Sequence, residues 1–196
     1  MRSLLLLILC LVPPLYAVKV DSSLKTFEQR ETQKKVDVYD FEGDYPQLEK
    51  IDIDARRKKC VEFNLCGSYP ALEKIVYEGG FGSLDSRLTG KYPLLKQIEF
   101  LCGNAKMDFD LKGDWQRSCK MTIQGAKEPI VLKLPSDIGI VAHVHSKLGA
   151  KVEAGPLKKQ GWWHMVQRTY TNDLADTAEV VLTLDINIAD GVVVFE

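Results

Sequence analysis

Gly43-Asp44-Tyr45-Pro46-Gln47-Leu48-Glu49-Lys50-Ile51 is followed by Gly67-Ser68-Tyr69-Pro70-Ala71-Leu72-Glu73-Lys74-Ile75 and then by Gly90-Lys91-Tyr92-Pro93-Leu94-Leu95-Lys96-Gln97-Ile98. The glycines stand 24 and 23 residues apart, and Gly113-Asp114-Trp115, a further 23 on, opens a degenerate fourth copy. Self-similarity at a period of 20 to 50 residues marks a repeat architecture. Two apolar-patterned segments fall in each copy. In the first, Leu48, Ile51 and Ile53 are matched by Leu72, Ile75 and Tyr77, by Leu95, Ile98 and Phe100, and less well by Ser118, Met121 and Ile123. In the second, apolar and polar residues alternate: Val61, Phe63, Leu65; Leu84, Ser86, Leu88; Met107, Phe109, Leu111; Ile130, Leu132, Leu134. Period two is the signature of a strand. The run Val36 to Phe41 precedes Gly43 at the same offset and predicts a further strand with Tyr39 and Phe41 inward.

One such unit is too small to bury its own apolar face. Stacking equivalent strands about 4.8 Å apart lines those residues into continuous inward columns. The expectation is an all-β fold: a short β-solenoid of about four 23-residue coils, with repeats from 43, 67, 90 and 113 and an irregular β-rich C-terminal part, filling residues 36–196. Gly43, Gly67, Gly90 and Gly113 then mark corners where positive φ is often needed, and Tyr-Pro suits an interrupted ladder. A leucine-rich repeat has a similar period and a strand of the form seen at Leu72 to Tyr77, but its return is usually a helix or 3₁₀ turn. Here the returns Cys60 to Leu65 and Lys106 to Leu111 alternate cleanly, which predicts strand. In the last third, Ile138 to His145, Glu179 to Ile188 and Gly191 to Phe195 are β in character, and Leu148 to Asp176 reads as turns around short strands.

The chain has 196 residues, 45% hydrophobic and 27% charged, enough for one packed domain or two small ones and too apolar for disorder. Lys and Arg number 26 against 27 Asp and Glu, a net charge of −1 with no basic excess for a phosphate backbone, so nucleic acid is not expected as a partner. Arg2, the apolar run Leu4 to Val12 and the break at Pro13-Pro14 before Ala17 read as a secretory signal peptide over 1–17. The run is too short for a membrane anchor. Cys10 after Leu7-Ile8-Leu9 leaves a lipoprotein as the alternative, although a lipobox wants a small residue where Leu9 stands. Residues 18–35 are charged and read as a lead-in segment. An exported, periplasmic, cell-surface or secreted protein follows, in which Cys60, Cys66, Cys102 and Cys119 could form disulfides. Their offsets within the repeat all differ, so a ladder-bridging framework is not expected.

The run Ile130 to Val141 with Pro135-Ser136-Asp137 inside it, then Leu148 to Gly155, then the closing Asp190 to Phe195, resembles the bacterial envelope β-solenoids of the toast-rack type, among them the C-terminal domain of LiaF-like stress proteins and auto-transporter adhesin heads. The resemblance implies binding, adhesion or scaffolding at the envelope and brings no catalytic residue.

Three constellations remain. Outward positions of the return strands align Glu62, Asp85 and Asp108 at one offset, and Asp40, Asn64, Arg87 and Asp110 at another. Stacked like charges repel, so such a column could hold calcium or be a solvated face compensated by Arg87, Lys106 and Lys112. His143 and His145 lie two apart on one strand face, where two imidazoles could share a metal given a third ligand, with His164 the remaining histidine. Trp162, Trp163, His164 and Tyr170 could form an aromatic platform for an envelope protein or a surface glycan. No triad order, phosphate loop or metalloprotease helix is present. The expectation is therefore a non-catalytic protein without a cofactor. The alternative is a secreted carbohydrate-active or metal-binding protein working through the acid columns or the His-x-His strand.

Overall fold

The computed structural model describes residues 18–20, 36–147, 149–161 and 167–196. The signal peptide expected at 1–17, Cys10 and the aromatic group Trp162, Trp163 and His164 lie outside them. The strands are β1 (Val18–Val20), β2 (Asp37–Phe41), β3 (Lys50–Ala55), β4 (Cys60–Leu65), β5 (Lys74–Gly79), β6 (Gly82–Leu88), β7 (Lys91–Tyr92), β8 (Gln97–Leu101) and β9 (Ala105–Asp110). They continue as β10 (Asp114–Trp115), β11 (Cys119–Gln124), β12 (Ile130–Lys133), β13 (Gly139–Ser146), β14 (Lys151–Glu153), β15 (Lys158–Gln160), β16 (Gln167–Thr171), β17 (Val181–Ile188) and β18 (Val192–Phe195). No helix occurs among the described residues.

The protein is all-β, and the repeat explains why. The first segment of each copy enters a sheet ordered β1-β3-β5-β8-β11-β17-β13-β16-β15, and the second a sheet ordered β14-β18-β12-β9-β6-β4-β2. Within the repeats every neighbouring pair is parallel, and the register is that of the sequence alignment: Ile51 beside Ile75 beside Ile98 beside Met121, and Phe63 beside Ser86 beside Phe109 beside Leu132. The alternating residues of both sheets point into one shared interior, where Phe63 meets Phe100 at 6.2 Å between ring centroids and Phe100 meets Phe109 at 4.8 Å. Tyr39 and Phe41 are buried there as expected, as are all the paired apolar positions, whereas Ser118 is exposed and its hydroxyl instead accepts a hydrogen bond from the Val181 amide.

The corners work differently from the expectation. Only Gly43 of the four has positive φ, at 115°. At Gly67 a β-carbon would lie 1.7 Å from the Gly43 carbonyl oxygen, and at Gly90 it would lie 2.5 Å from that of Gly67. Successive corners touch backbone to backbone, and the glycines exist to permit that approach. Proline opens a turn in which the Leu48 amide donates to the Tyr45 carbonyl, and Leu72 to Tyr69 in the same way. The tyrosine that precedes it points inward. Tyr45, Tyr69, Tyr92 and Trp115 form a continuous stack at centroid spacings of 5.7, 5.6 and 5.1 Å. The Tyr92 hydroxyl accepts from the Gly90 amide at 3.1 Å and donates to the Leu65 carbonyl at 2.6 Å. Tyr69 repeats both bonds with Gly67 and Phe41. Each of these two tyrosines therefore adds side-chain bonds to backbone groups at the corner.

The C-terminal part is not irregular. It completes both sheets, out of chain order. After β12 the chain leaves one position empty and forms β13 and β14. It then folds the antiparallel pair β15–β16 onto β13 and comes back to insert β17 between β11 and β13, and β18 between β12 and β14. Phe195 is buried in the core, and the Leu134 and Glu196 amides bond across to the carbonyls of Glu196 and Leu132, both at 2.8 Å.

Candidate functional site

Side chains fill the shared interior, and the candidate groups among the described residues lie on the outer strand faces, in the turns and beside a recess. On the outer face of the second sheet, Glu62, Asp85 and Asp108 occupy adjacent parallel positions, and Asp40, Asn64, Arg87 and Asp110 form the next row. The compensation is local. Lys133 reaches Asp108 at 3.4 Å, Arg87 lies 3.9 Å from Asp85, and the Asp108 carboxylate raises the Lys133 ammonium above its ordinary pKa. Among the expected cations only Arg87 makes such a pair, while the Lys112 backbone amide donates to Asp110. No group of three or more histidine, cysteine or carboxylate side chains among the described residues is placed to hold a metal ion.

His143 and His145 do share the outer face of β13, half-buried between β17 and β16. The His143 Nδ1 lies 3.0 Å from the Thr169 hydroxyl, and its cross-strand neighbour Asp185 is engaged by Lys120 at 2.7 Å. Threonine and a carboxylate already neutralised are the neighbours, and His145 stands between Asn187 and Gln167.

Tyr170 corrects the expected aromatic platform. It is 5% exposed, seated inward on β16 with its ring 6.2 Å from that of Phe195, because the β16 alternation turns its apolar residue to the core. Trp162, Trp163 and His164, the other members, are outside the described residues. All four cysteines described are free thiols. Burial pushes the Cys102 and Cys119 thiols up to about 12, leaving Cys66 as the exposed one.

Two features were not anticipated. A recess of about 770 Å³ opens beside Lys112, Leu134, Ser136, Asp137, Asp173 and Glu196. It arises where the chain skips a position after β12 and where β18 ends. Asn172 on its wall is structural, accepting from the Ile140 amide and donating to the Ile138 carbonyl, and Asp173 is paired with Lys158. The second is the turn row that joins the two sheets. There Phe81 is 74% exposed, beside the turn Arg56-Arg57-Lys58-Lys59. Hydrogen bonds from Arg56 hold the Asp54 carboxyl down to about 2. Both elements of this row were visible in the sequence, as the sole aromatic of a Gly-Gly-Phe-Gly stretch and as four consecutive cations.

No family model matches the sequence, and no curated protein does. Among solved structures the fold is similar to the crystal structure of a putative cell adhesion protein from Clostridium sporogenes, with a TM-score of 0.54 at 20% identity over 65% of this chain. The match spans 55% of that protein's length, and at this identity the likeness is one of fold.

Proposed function

We propose that the chain is a short β-solenoid acting as an exported, non-catalytic protein of the bacterial envelope, in adhesion, interaction or scaffolding through its outer surface. The observation that carries this reading is the fate of the repeat. Its apolar positions are consumed by one shared interior, so that recognition falls to strand faces, turns and ends. The fold neighbour described as a putative cell adhesion protein supports the same direction, as does the resemblance to toast-rack envelope domains. The partner is another envelope protein or a surface glycan, taken by the segment around Trp162, Trp163 and His164.

Capture of partners from envelope extracts by the purified chain, run beside a glycan array, tests this. Trp162→Ala and Trp163→Ala should lose most of the capture, with the fold intact by circular dichroism. An Asp85→Ala/Asp108→Ala double variant should keep it. The reverse outcome would transfer the site to the acid columns and favour a carbohydrate- or cation-binding protein.

A further inference from the structure

At the corners of the repeat, successive copies are joined by a short parallel ladder of their own. The Ser68 amide donates to the Gly43 carbonyl, and the Tyr45 amide to the Ser68 carbonyl, both at 2.9 Å. Lys91 stands in the same relation to Gly67 and Tyr69, at 2.9 and 3.1 Å. In the next copy the Asp114 amide donates to the Gly90 carbonyl at 2.8 Å, and β10 pairs with β7. Each corner thus offers its successor one carbonyl and, two residues later, one amide.

The series stops at Gly113-Asp114-Trp115. A fifth corner would join β12 to β17, but β12 runs on to β13 and β17 is entered from β16. Among the described residues β10 has β7 as its one strand neighbour, and no backbone amide donates to the Gly113 carbonyl. No carbonyl accepts from the Trp115 amide on the open side either. Where the missing corner would lie, Gly113 borders the recess of about 770 Å³, together with the apolar Leu134, Ile140, Leu157 and Leu174.

We infer that the recess receives an extended polypeptide segment of another protein, which adds a strand to β10 in the parallel sense of the repeat. In the register of the earlier corners, one residue of that segment donates its amide to the Gly113 carbonyl and accepts from the Trp115 amide. The residue before it is glycine, for the reason that holds in the earlier copies. A β-carbon at Gly67 would stand 1.7 Å from the Gly43 carbonyl oxygen, one at Gly90 2.5 Å from that of Gly67, and one at Gly113 2.9 Å from that of Gly90. The side chains that follow meet the apolar lining. A sugar ring would fill the volume without matching a carbonyl and an amide set two residues apart. This site uses none of the residues around Trp162 and goes beyond the partner reading above.

The probe is an acetylated, fluorescein-labelled peptide of residues 90–96, Gly-Lys-Tyr-Pro-Leu-Leu-Lys, titrated into the purified chain and followed by anisotropy. Saturable binding is expected, with a shift of the Trp115 amide resonance. Methylating the nitrogen of the peptide's second residue removes the donor to Gly113 and should weaken binding by about tenfold. Replacing the peptide's glycine by alanine should weaken it by at least about tenfold. Ser136→Trp fills the recess from an exposed position and should abolish binding with an unchanged urea midpoint. Absence of binding, equal binding of either altered peptide, or full binding by Ser136→Trp would each overturn the inference. Partner capture by the tryptophan variants is read separately and is unaffected by either result.

Discussion

Phe109 and Asp108 are chain neighbours on β9 with opposite surroundings, the first fully buried against Phe100 and the second on the outer face beside Lys133. Phe109→Ala should cost about 3 to 5 kcal/mol of stability and Asp108→Ala less than about 1 kcal/mol, read from urea melts. Ser86 fills the core position between Phe63 and Phe109, wholly buried with a hydroxyl that has no hydrogen-bond partner among the described residues. Removing an unsatisfied buried polar atom helps, so Ser86→Ala should raise stability by about 1 kcal/mol. Buried thiols set an alkaline limit. Cys102 and Cys119 titrate near 12 in the fold against an ordinary value of 9.0, so the unfolded chain releases those protons first. Stability should hold below pH about 9 and decline between about 9 and 12, and an alkylating agent at neutral pH should label Cys66 but not these two. Inward and outward identity was legible at this scale because period two assigns each residue a face. The burial of Tyr170 was not, since a lone aromatic on a short strand carries no period.

The corner is where sequence and structure part in cause while agreeing in place. Glycine, tyrosine and proline announced a corner, and one stands at each copy. Of the four corner glycines only Gly43 has positive φ, however, and the later ones answer to contact between successive copies that a single copy does not reveal. Gly67→Ala should therefore cost more than about 4 kcal/mol, a size reserved for backbone clashes and core defects, and a melting curve of the variant checks it. Tyr92→Phe tests the hydroxyl alone. The Leu65 carbonyl would keep its bonds from the Thr89 and Gly90 amides, at 3.2 and 2.9 Å, so the expected loss is about 1 to 2 kcal/mol. Trp115 shows how the fourth copy degenerates without breaking the stack, because its indole nitrogen donates to the Leu111 carbonyl four residues earlier at 2.8 Å.

Across the whole molecule, the chain order of the last strands is what the sequence concealed. Glu179 to Ile188 and Gly191 to Phe195 were readable as β, but parallel neighbours are set by long-range contact, and no local signal says that β17 and β18 enter between strands formed earlier in the chain. That insertion also makes the recess near Asp137, which a strictly sequential stack would not contain. A chain ending at Asp190 should lose cooperative unfolding, since β12 and β14 would then face an empty position. The central claim is that residues one repeat apart lie side by side in parallel strands and that the chain's end is threaded among them. Nuclear Overhauser contacts between backbone protons test it most directly. Contacts are expected from Phe63 to Ser86, from Ser86 to Phe109 and from Met121 to Leu184. Contacts pairing β3 with β4 as an antiparallel hairpin across Arg56 to Lys59, with none between repeat-spaced residues, would contradict it.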